Sequence, residues 1–372
     1  MHSVKTLERF IKNHTVTVVA FAAAVITSCI VPPDEAYLGY FDLRTLTCLF
    51  LTLAVVCALR DIKFFTILAR RIVMLTGNLR TLTLILVYIT FIGSMIIAND
   101  MALITFLPLG YFALSVTRNE QHMAYVFILQ NISANLGGML TPFGNPQNLY
   151  LYSYYQIPTM EFMGIMLPPF LLAVAMLTAG CFLLKPTPLS ITEEFPEKLN
   201  GRRTALYLAL FAFSILIVFR VVPYWIGLIL IPAVLLVLDR EALKAVDYPL
   251  LATFAFFFIF SGNMARIDAV NRFASALLAK SPLLVSGLSC QCISNVPTAI
   301  LLSKFTGDYR ALLLGVNIGG TGTLIASLAS LITFSEYRLL YPGHGKQYFL
   351  LFTLVNAVFL AVLTAAAYFF FL

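Results

Sequence analysis

Long apolar stretches separated by short polar ones run through nearly the whole chain. They cover residues 15–33, 44–58, 81–97, 160–184, 204–222, 224–238 and 347–372. About 20 apolar residues at helical rise cross the roughly 30 Å of hydrocarbon in a bilayer, so several of these runs predict membrane spans. Stretches 62–77 and 264–280 are amphipathic instead. Residues 185–203 form the longest polar stretch, with Pro186, Pro188 and Pro196, and read as a linker.

The order of features in 15–184 recurs in 224–372. Each half has a span, a returning span, an amphipathic stretch, an apolar pair, a broken span and a closing span. Segment 204–222 carries the chain across between them. An odd number of crossings separates the halves, so they face opposite ways, a common plan among secondary transporters. The expected fold is an all-α membrane protein of two inverted repeats, each with full spans, a re-entrant hairpin and a broken helix, with about 9 to 11 transmembrane segments in all. The first repeat is 1–184, a cytoplasmic linker and crossover helix occupy 185–223, and the second repeat is 224–372.

The arms of the second apolar pair, 282–293 and 297–305, have roughly ten residues, about 15 Å at helical rise. That is half the hydrocarbon thickness, which predicts a hairpin turning back inside the membrane. The first pair, 81–97 and 101–117, has longer arms. Symmetry extends the hairpin reading to it, and its length also suits two full spans.

Composition supports the membrane reading. Of 372 residues, 60% are hydrophobic and 11% charged, where a soluble domain carries about a quarter charged residues. The net charge of +7 is spread between spans rather than gathered in a patch, so nucleic acid is not an expected partner. With the N-terminus cytoplasmic, 17 of the 24 Lys and Arg fall inside, Lys5, Arg9, Lys12 and Lys198 among them. The acidic loop 33–43, with Asp34, Glu35 and Asp42, falls outside. This bias orients a multi-pass protein of the cell inner membrane.

Other chemistry is sparse. The six cysteines lie mostly in apolar runs and read as small buried hydrophobes; nothing near Cys290-Gln-Cys292 completes a four-ligand metal set. His2, His14, His122 and His344 lie at span ends or in loops, and neither HExxH nor a phosphate-binding loop occurs. A membrane-embedded metalloenzyme and an ATP-driven pump are therefore disfavoured. No cofactor is expected beyond Na⁺ as a candidate ion.

Polar residues at membrane depth are expensive and mark function. They gather at four places. The first hairpin turns at Ala98-Asn99-Asp100 and the second at Ser294-Asn295-Val296-Pro297-Thr298. The first broken span reads Asn135 to Asn148 and the second Asn317 to Ser330. Aligned without gaps, Asn135 meets Asn317, Gly137-Gly138 meets Gly319-Gly320, Thr141 meets Thr323, Asn145 meets Ser327 and Asn148 meets Ser330. Gly and Pro here unwind a helix, which membrane proteins tolerate only where the backbone is buried or lines a cavity. Helix ends near Ala98 and Leu136 offer carbonyls for a small cation. Half-helix starts near Met101 and Gln147 offer N–H groups for an anion. Gly144, Thr298 and Thr321 complete the candidate set, with Asn99, Asn135, Asn295 and Asn317 as candidate Na⁺ ligands. Asp100 reads either as a cation or proton carrier or as the N-cap of the arm beginning at Met101.

These residues resemble the ion-transporter superfamily of arsenite exporters, Na⁺/H⁺ antiporters, citrate carriers and divalent-anion/sodium symporters. Asn99-Asp100 followed by Met-Ala-Leu-Ile-Thr-Phe-Leu-Pro108 is similar to the first hairpin of the arsenite-exporter and antiporter branch. Gly144-Asn145-Pro146-Gln147-Asn148 is similar to the family's first unwound loop. Ser294-Asn295 resembles the Ser-Asn-Thr tip of the dicarboxylate branch, from which the chain departs at Ala98-Asn99-Asp100 and at Val296-Pro297. The resemblance implies a scaffold domain, a transport domain moving elevator-fashion, and frequent homodimers. The leading expectation is a Na⁺- or H⁺-coupled carrier of a small inorganic or carboxylate anion. The alternatives are a Na⁺/H⁺ antiporter and an arsenite-like oxyanion exporter.

Overall fold

In lipid a backbone N–H or C=O without a partner costs several kcal/mol, and a helix pairs every such group internally. The apolar runs accordingly become helices. The computed structural model describes residues 15–189 and 199–372. Lys5, Arg9, Lys12, His2 and His14, and Pro196 and Lys198 of the linker, lie outside the described residues, as does the expected cytoplasmic N-terminus.

The first half contains α1 (Thr15–Ile30), α2 (Leu43–Asp61), the amphipathic α3 (Phe64–Val73), α4 (Leu79–Ile97), α5 (Asn99–Val116), α6 (Met123–Gly137), α7 (Pro146–Tyr154) and α8 (Thr159–Phe182). Helix α9 (Gly201–Val218) follows the linker. The second half contains α10 (Tyr224–Leu238), the short α11 (Arg240–Lys244), α12 (Tyr248–Arg266), the amphipathic α13 (Asp268–Leu278), α14 (Pro282–Ile293), α15 (Asn295–Leu302), α16 (Tyr309–Ile318), α17 (Leu328–Leu340) and α18 (Gly345–Ala366). Among the described residues there is no strand, only an isolated bridge between Asn78 and Pro188.

Side-chain caps set several starts. The Asn78 side chain accepts from the Thr81 N–H and opens the first hairpin; Ser281 accepts from Leu284 N–H and opens the second. Asp42, Asp247 and Asp308 do the same for α2, α12 and α16. Each satisfies a donor that a helix start otherwise leaves unpaired.

Seven helical segments among the described residues are long and apolar enough to cross a membrane singly: α2, α4, α5, α8, α9, α12 with its lead-in α11, and α18. Helices α13 and α14 pass only as a pair, bent by 119°. The remaining apolar helices α1, α10 and α16 are shorter. In α6–α7 and α16–α17 the break divides one crossing into two pieces too short to span alone.

The helices pack as two groups. Helix α1 lies along α12, and α2 packs on α9, α10 and α11. Helices α4 to α8 pack with one another and with α14 to α18. The groups meet chiefly where α2 touches α7 and α12 touches α15. Exposed Val19, Ile26, Leu230, Val237, Leu350 and Leu354 keep the outer surface apolar, as lipid requires.

The arms of the second hairpin have 12 and 8 residues, about 18 and 12 Å, as expected for a turn within the membrane. Those of the first have 19 and 18 residues, each long enough to cross. Its tip nevertheless meets the end of α6, where the Asn99 side-chain N–H donates to Asn135 Oδ1 at 3.2 Å. The hairpin thus turns at the level where α6 breaks, not at the far end of α7.

Candidate functional site

Both hairpins turn on a non-glycine residue held at positive φ. Ala98 has φ 67° and ψ 153°, and Ser294 has φ 73° and ψ 159°. Side chains rarely adopt this conformation because Cβ crowds the backbone. Each tip is then braced in the same way. Asn99 Oδ1 accepts from Asp100 N–H at 3.0 Å, and Asn295 Oδ1 accepts from Val296 N–H at 2.9 Å. Of the two readings of Asp100, the N-cap is not found: α5 begins at Asn99, Asp100 lies in its first turn, and no side chain caps the start.

The two breaks dock on the two hairpins in equivalent register. Thr141 Oγ1 donates to Met95 O at 2.9 Å, three residues before Ala98. Thr323 Oγ1 donates to Gln291 O at 3.0 Å, three residues before Ser294. A Cβ on Gly137 would sit 2.2 Å from Phe91 O and 2.6 Å from Ser94 Oγ. On Gly319 it would sit 2.9 Å from Gly287 Cα and 3.0 Å from Cys290 Cβ. Those partners lie seven and four residues before each tip, so the glycines let each broken helix approach its hairpin at one and the same place. Gly320 packs likewise on the Asn295 amide, and Gly138 packs on Asn145 and Gly144.

The breaks also join each other. Asn317 Nδ2 donates to Asn148 Oδ1 at 2.6 Å, while its Oδ1 accepts from Asn145 and Gln147 at 3.4 Å each. Asn145 further donates to Asn135 O at 3.1 Å, and Asn148 to Gly138 O and Met139 O. Asn131 donates to Ser330 Oγ at 3.3 Å. All of these side chains are buried. Ser327 caps α17, and the hydroxyls of Thr298 and Thr321 turn back to Ser294 O and Ile318 O of their own segments.

A cavity of about 420 Å³ lies where these pieces meet α1 and α12. From the expected set, Asn99, Asp100, Ser294 and Asn295 line it. Asn135, Gly137, Gly138, Thr141, Gly144, Asn145, Asn148, Thr298, Asn317, Gly319, Gly320, Thr321, Thr323 and Ser327 belong to the same tips and breaks but do not line it. The first turns of four helices reach the cavity: Asn99 and Asp100 of α5, Pro146 and Gln147 of α7, Asn295 to Pro297 of α15, and Leu328 and Leu331 of α17. Each helix start carries a partial positive charge. Among the described residues lining the cavity, Asp100 is the only charged one. Asp100 Oδ1, Asn145 Oδ1 and Gln147 Oε1 are buried oxygens without a hydrogen-bond partner. Leaving such an atom unpaired costs about 1–3 kcal/mol, and a carboxylate or amide oxygen in that state can accept a donor or a cation.

Gln147, expected only as a half-helix start, lines the cavity with its side chain and reaches Asn317; Gln291 escaped the sequence reading. Gln291 ties the second hairpin to its break, donating to Gly319 O at 2.8 Å and Thr321 O at 3.2 Å and accepting from Thr323 N–H at 2.8 Å. It stands between Cys290 and Cys292. Cys290 is buried, Cys292 is exposed and both are free. A glutamine inside an apolar arm, three residues before the tip, was the available signal.

Comparison with known proteins agrees with this architecture. An uncharacterised transporter of Methanocaldococcus jannaschii is 31% identical over 306 residues, covering 82% of this chain and 83% of that protein. The inner membrane protein YbiR of Escherichia coli is 29% identical over 318 residues, covering 81% and 83%. A silicon efflux transporter of Oryza sativa is 29% identical over 196 residues, half of this chain and 40% of that one. Residues 6–307 match the citrate transporter family, a stretch that takes in both hairpins and the first break. The chain is therefore a multi-pass membrane protein belonging to the citrate transporter family.

Proposed function

We propose that this transporter is a secondary carrier that moves a small anion across the inner membrane, coupled to Na⁺ or H⁺. The observation that carries the reading is the convergence of four helix starts on one cavity that also holds a single carboxylate. The helix starts supply positive potential for an anion, with no Lys or Arg among the described lining residues. Asp100 and the unpaired oxygens of Asn145 and Gln147 supply the cation or proton site. Asn99 with Asn135, and Asn295 with Asn317, are the amide pairs assigned to Na⁺.

The halves 1–184 and 224–372 act as inverted repeats joined by 185–223. Two observations support this division: the matched backbone of the tips and the matched docking of the breaks. The carrier alternates by an elevator-type movement of α4–α8 with α14–α18 against α1, α2 and α9–α12. Asymmetry of the contacts between these groups supports the movement. Helix α2 touches α7 and α12 touches α15, whereas exchanging the halves would pair α12 with α17 and α2 with α5. With the N-terminus cytoplasmic, the cavity lies toward the cytoplasm, beside the N-terminal halves of α1 and α12.

The test uses purified protein in liposomes with Na⁺ or pH gradients imposed and citrate, phosphate or arsenite enclosed. A saturable flux of one of them, driven by one gradient and lost in Asn295→Ala, is expected. Flux indifferent to both gradients, or rising without saturation, would refute the proposal. A second reading, a Na⁺/H⁺ antiporter, is favoured by Asp100 alone among the lining charges; it requires a Na⁺ gradient to change lumenal pH with no anion present.

A further inference from the structure

A second, smaller cavity of about 290 Å³ lies at the far ends of the half-helices that start in the central cavity. Helix α7 runs from Pro146 to Tyr154 and α15 from Asn295 to Leu302, so each puts about 12 Å or more between the two spaces. Ser153, Tyr154 and Gln156 from the end of α7, and Lys304 just past α15, form one wall. Asp42 and Arg44 at the start of α2 form the other. The walls belong to the two helix groups that meet here.

The charges of this pocket are unbalanced. Arg44 and Lys304 are both half-buried, and neither makes an ion pair with a described carboxylate. Lys304 Nζ lies 4.4 Å from the centre of the Tyr154 ring. A third cation, Arg220, lies nearby but is committed to Tyr152, donating to its carbonyl and covering its ring. The one carboxylate, Asp42, is occupied in capping α2: its Oδ1 accepts from Thr45 N–H at 3.0 Å and its Oδ2 from the Thr45 hydroxyl at 2.6 Å. Two cations, neither with a side-chain hydrogen bond or ion pair to a described residue, therefore face a concave space together with the hydroxyl of Ser153 and the amide of Gln156. Partly desolvated cations bind carboxylate or phosphate oxygens more strongly than exposed ones do.

We propose that this pocket is a second anion-binding site, an antechamber for a small carboxylate or phosphate on the side of the protein opposite the opening of the central cavity. An anion held between Arg44 and Lys304 touches both helix groups, so its release accompanies their separation. Only this use in transport rests on the carrier reading; binding is tested apart from it. Sodium citrate and sodium phosphate are titrated calorimetrically into the full chain in nanodiscs of neutral lipid. The chain carries Asn295→Ala, which removes the central site. At least one probe is expected to bind. Adding Arg44→Gln with Lys304→Gln should weaken that binding at least tenfold, while adding Lys304→Arg alone should retain it and confirm an intact fold. Failure of both probes to bind the Asn295→Ala chain, or equal binding after both charges are removed, would overturn the proposal. A failed transport assay beside retained binding would instead count against the carrier reading.

Discussion

The two hairpin tips share a backbone and differ in chemistry. Ala98 and Ser294 occupy the same rare conformation, and the following asparagines brace their turns with the same bond. One residue later the first tip has Asp100 and the second has Val296. The packing behind them differs too. Asn99 bonds to Asn135 of its own broken helix, whereas Asn295 gives its backbone N–H to Ala326 O. The shared geometry is what places helix starts at the cavity. The difference puts the charge chemistry on one side only.

The sharpest way to break this comparison is Asp100→Asn. It should abolish the gradient-driven component of transport and leave the thermal midpoint almost unchanged, because Asp100 Oδ1 makes no bond that the fold uses. Liposome flux with and without the gradient, beside a melting curve, checks both halves of that outcome. Full coupling in Asp100→Asn would make the two tips chemically equivalent.

Asn317→Ala should give the largest loss of stability. It strips partners from Asn148, Asn145 and Gln147 together, at about 1–3 kcal/mol for each buried group left unpaired. A fall in the thermal midpoint with loss of flux is expected, and Asn317→Asp should not recover it, because a carboxylate cannot donate to Asn148 Oδ1 or Leu313 O.

The glycines test whether the two docking surfaces are equally tight. Gly137→Ala drives a methyl into a backbone carbonyl, and Gly319→Ala drives one against Gly287 and Cys290. Overpacking of this kind costs about 1–3 kcal/mol. The first should cost more, because its Cβ would approach Phe91 O to 2.2 Å, against 2.6 Å to Gly315 O at Gly319. Melting of both variants in the same detergent decides the order.

A smaller effect of opposite sign is expected at the turns. Ala98→Gly and Ser294→Gly relieve a conformation that costs a side chain about 1–3 kcal/mol, against about 1 kcal/mol for the added freedom of glycine when unfolded. Each should raise the midpoint slightly and by a similar amount. A rise at one site only would break the equivalence of the tips.

The smallest effect lies away from both tips. Asp34 and Arg266 pair at 2.6 Å on the surface, and the guanidinium holds the Asp34 carboxyl below its usual range. A depressed carboxylate stabilises the folded state above its ordinary value and ceases to do so as pH falls through the lowered one. Acidification below the usual carboxylate range should therefore remove a slight stabilisation that Arg266→Gln lacks at every pH, as melting curves across that range would record.

Much of this was legible in one dimension. Apolar run length fixed the helices, and the short arms at 282–305 fixed the second hairpin, because helical rise and bilayer thickness are set by covalent geometry and lipid. The ungapped match of Asn135–Asn148 with Asn317–Ser330 located both breaks. Gln291 was not legible, since a lone glutamine in an apolar helix looks the same whether it faces a carbonyl or a cavity. The role of Asp100 also stayed open between cap and carrier, because the start of α5 moves by two residues between those alternatives.

The sequence by itself determined that the chain crosses a membrane, that its order of features repeats, and that its polar groups gather at two turns and two breaks. Those are local properties of residue type and spacing. Only the tertiary structure decided which of those groups face the cavity and which hold it in shape. Asn99, Asp100, Ser294 and Asn295 face it, while Asn317 spends its amide on the opposite break. That choice depends on contacts between residues about 170 positions apart, where packing rather than local preference selects the partner.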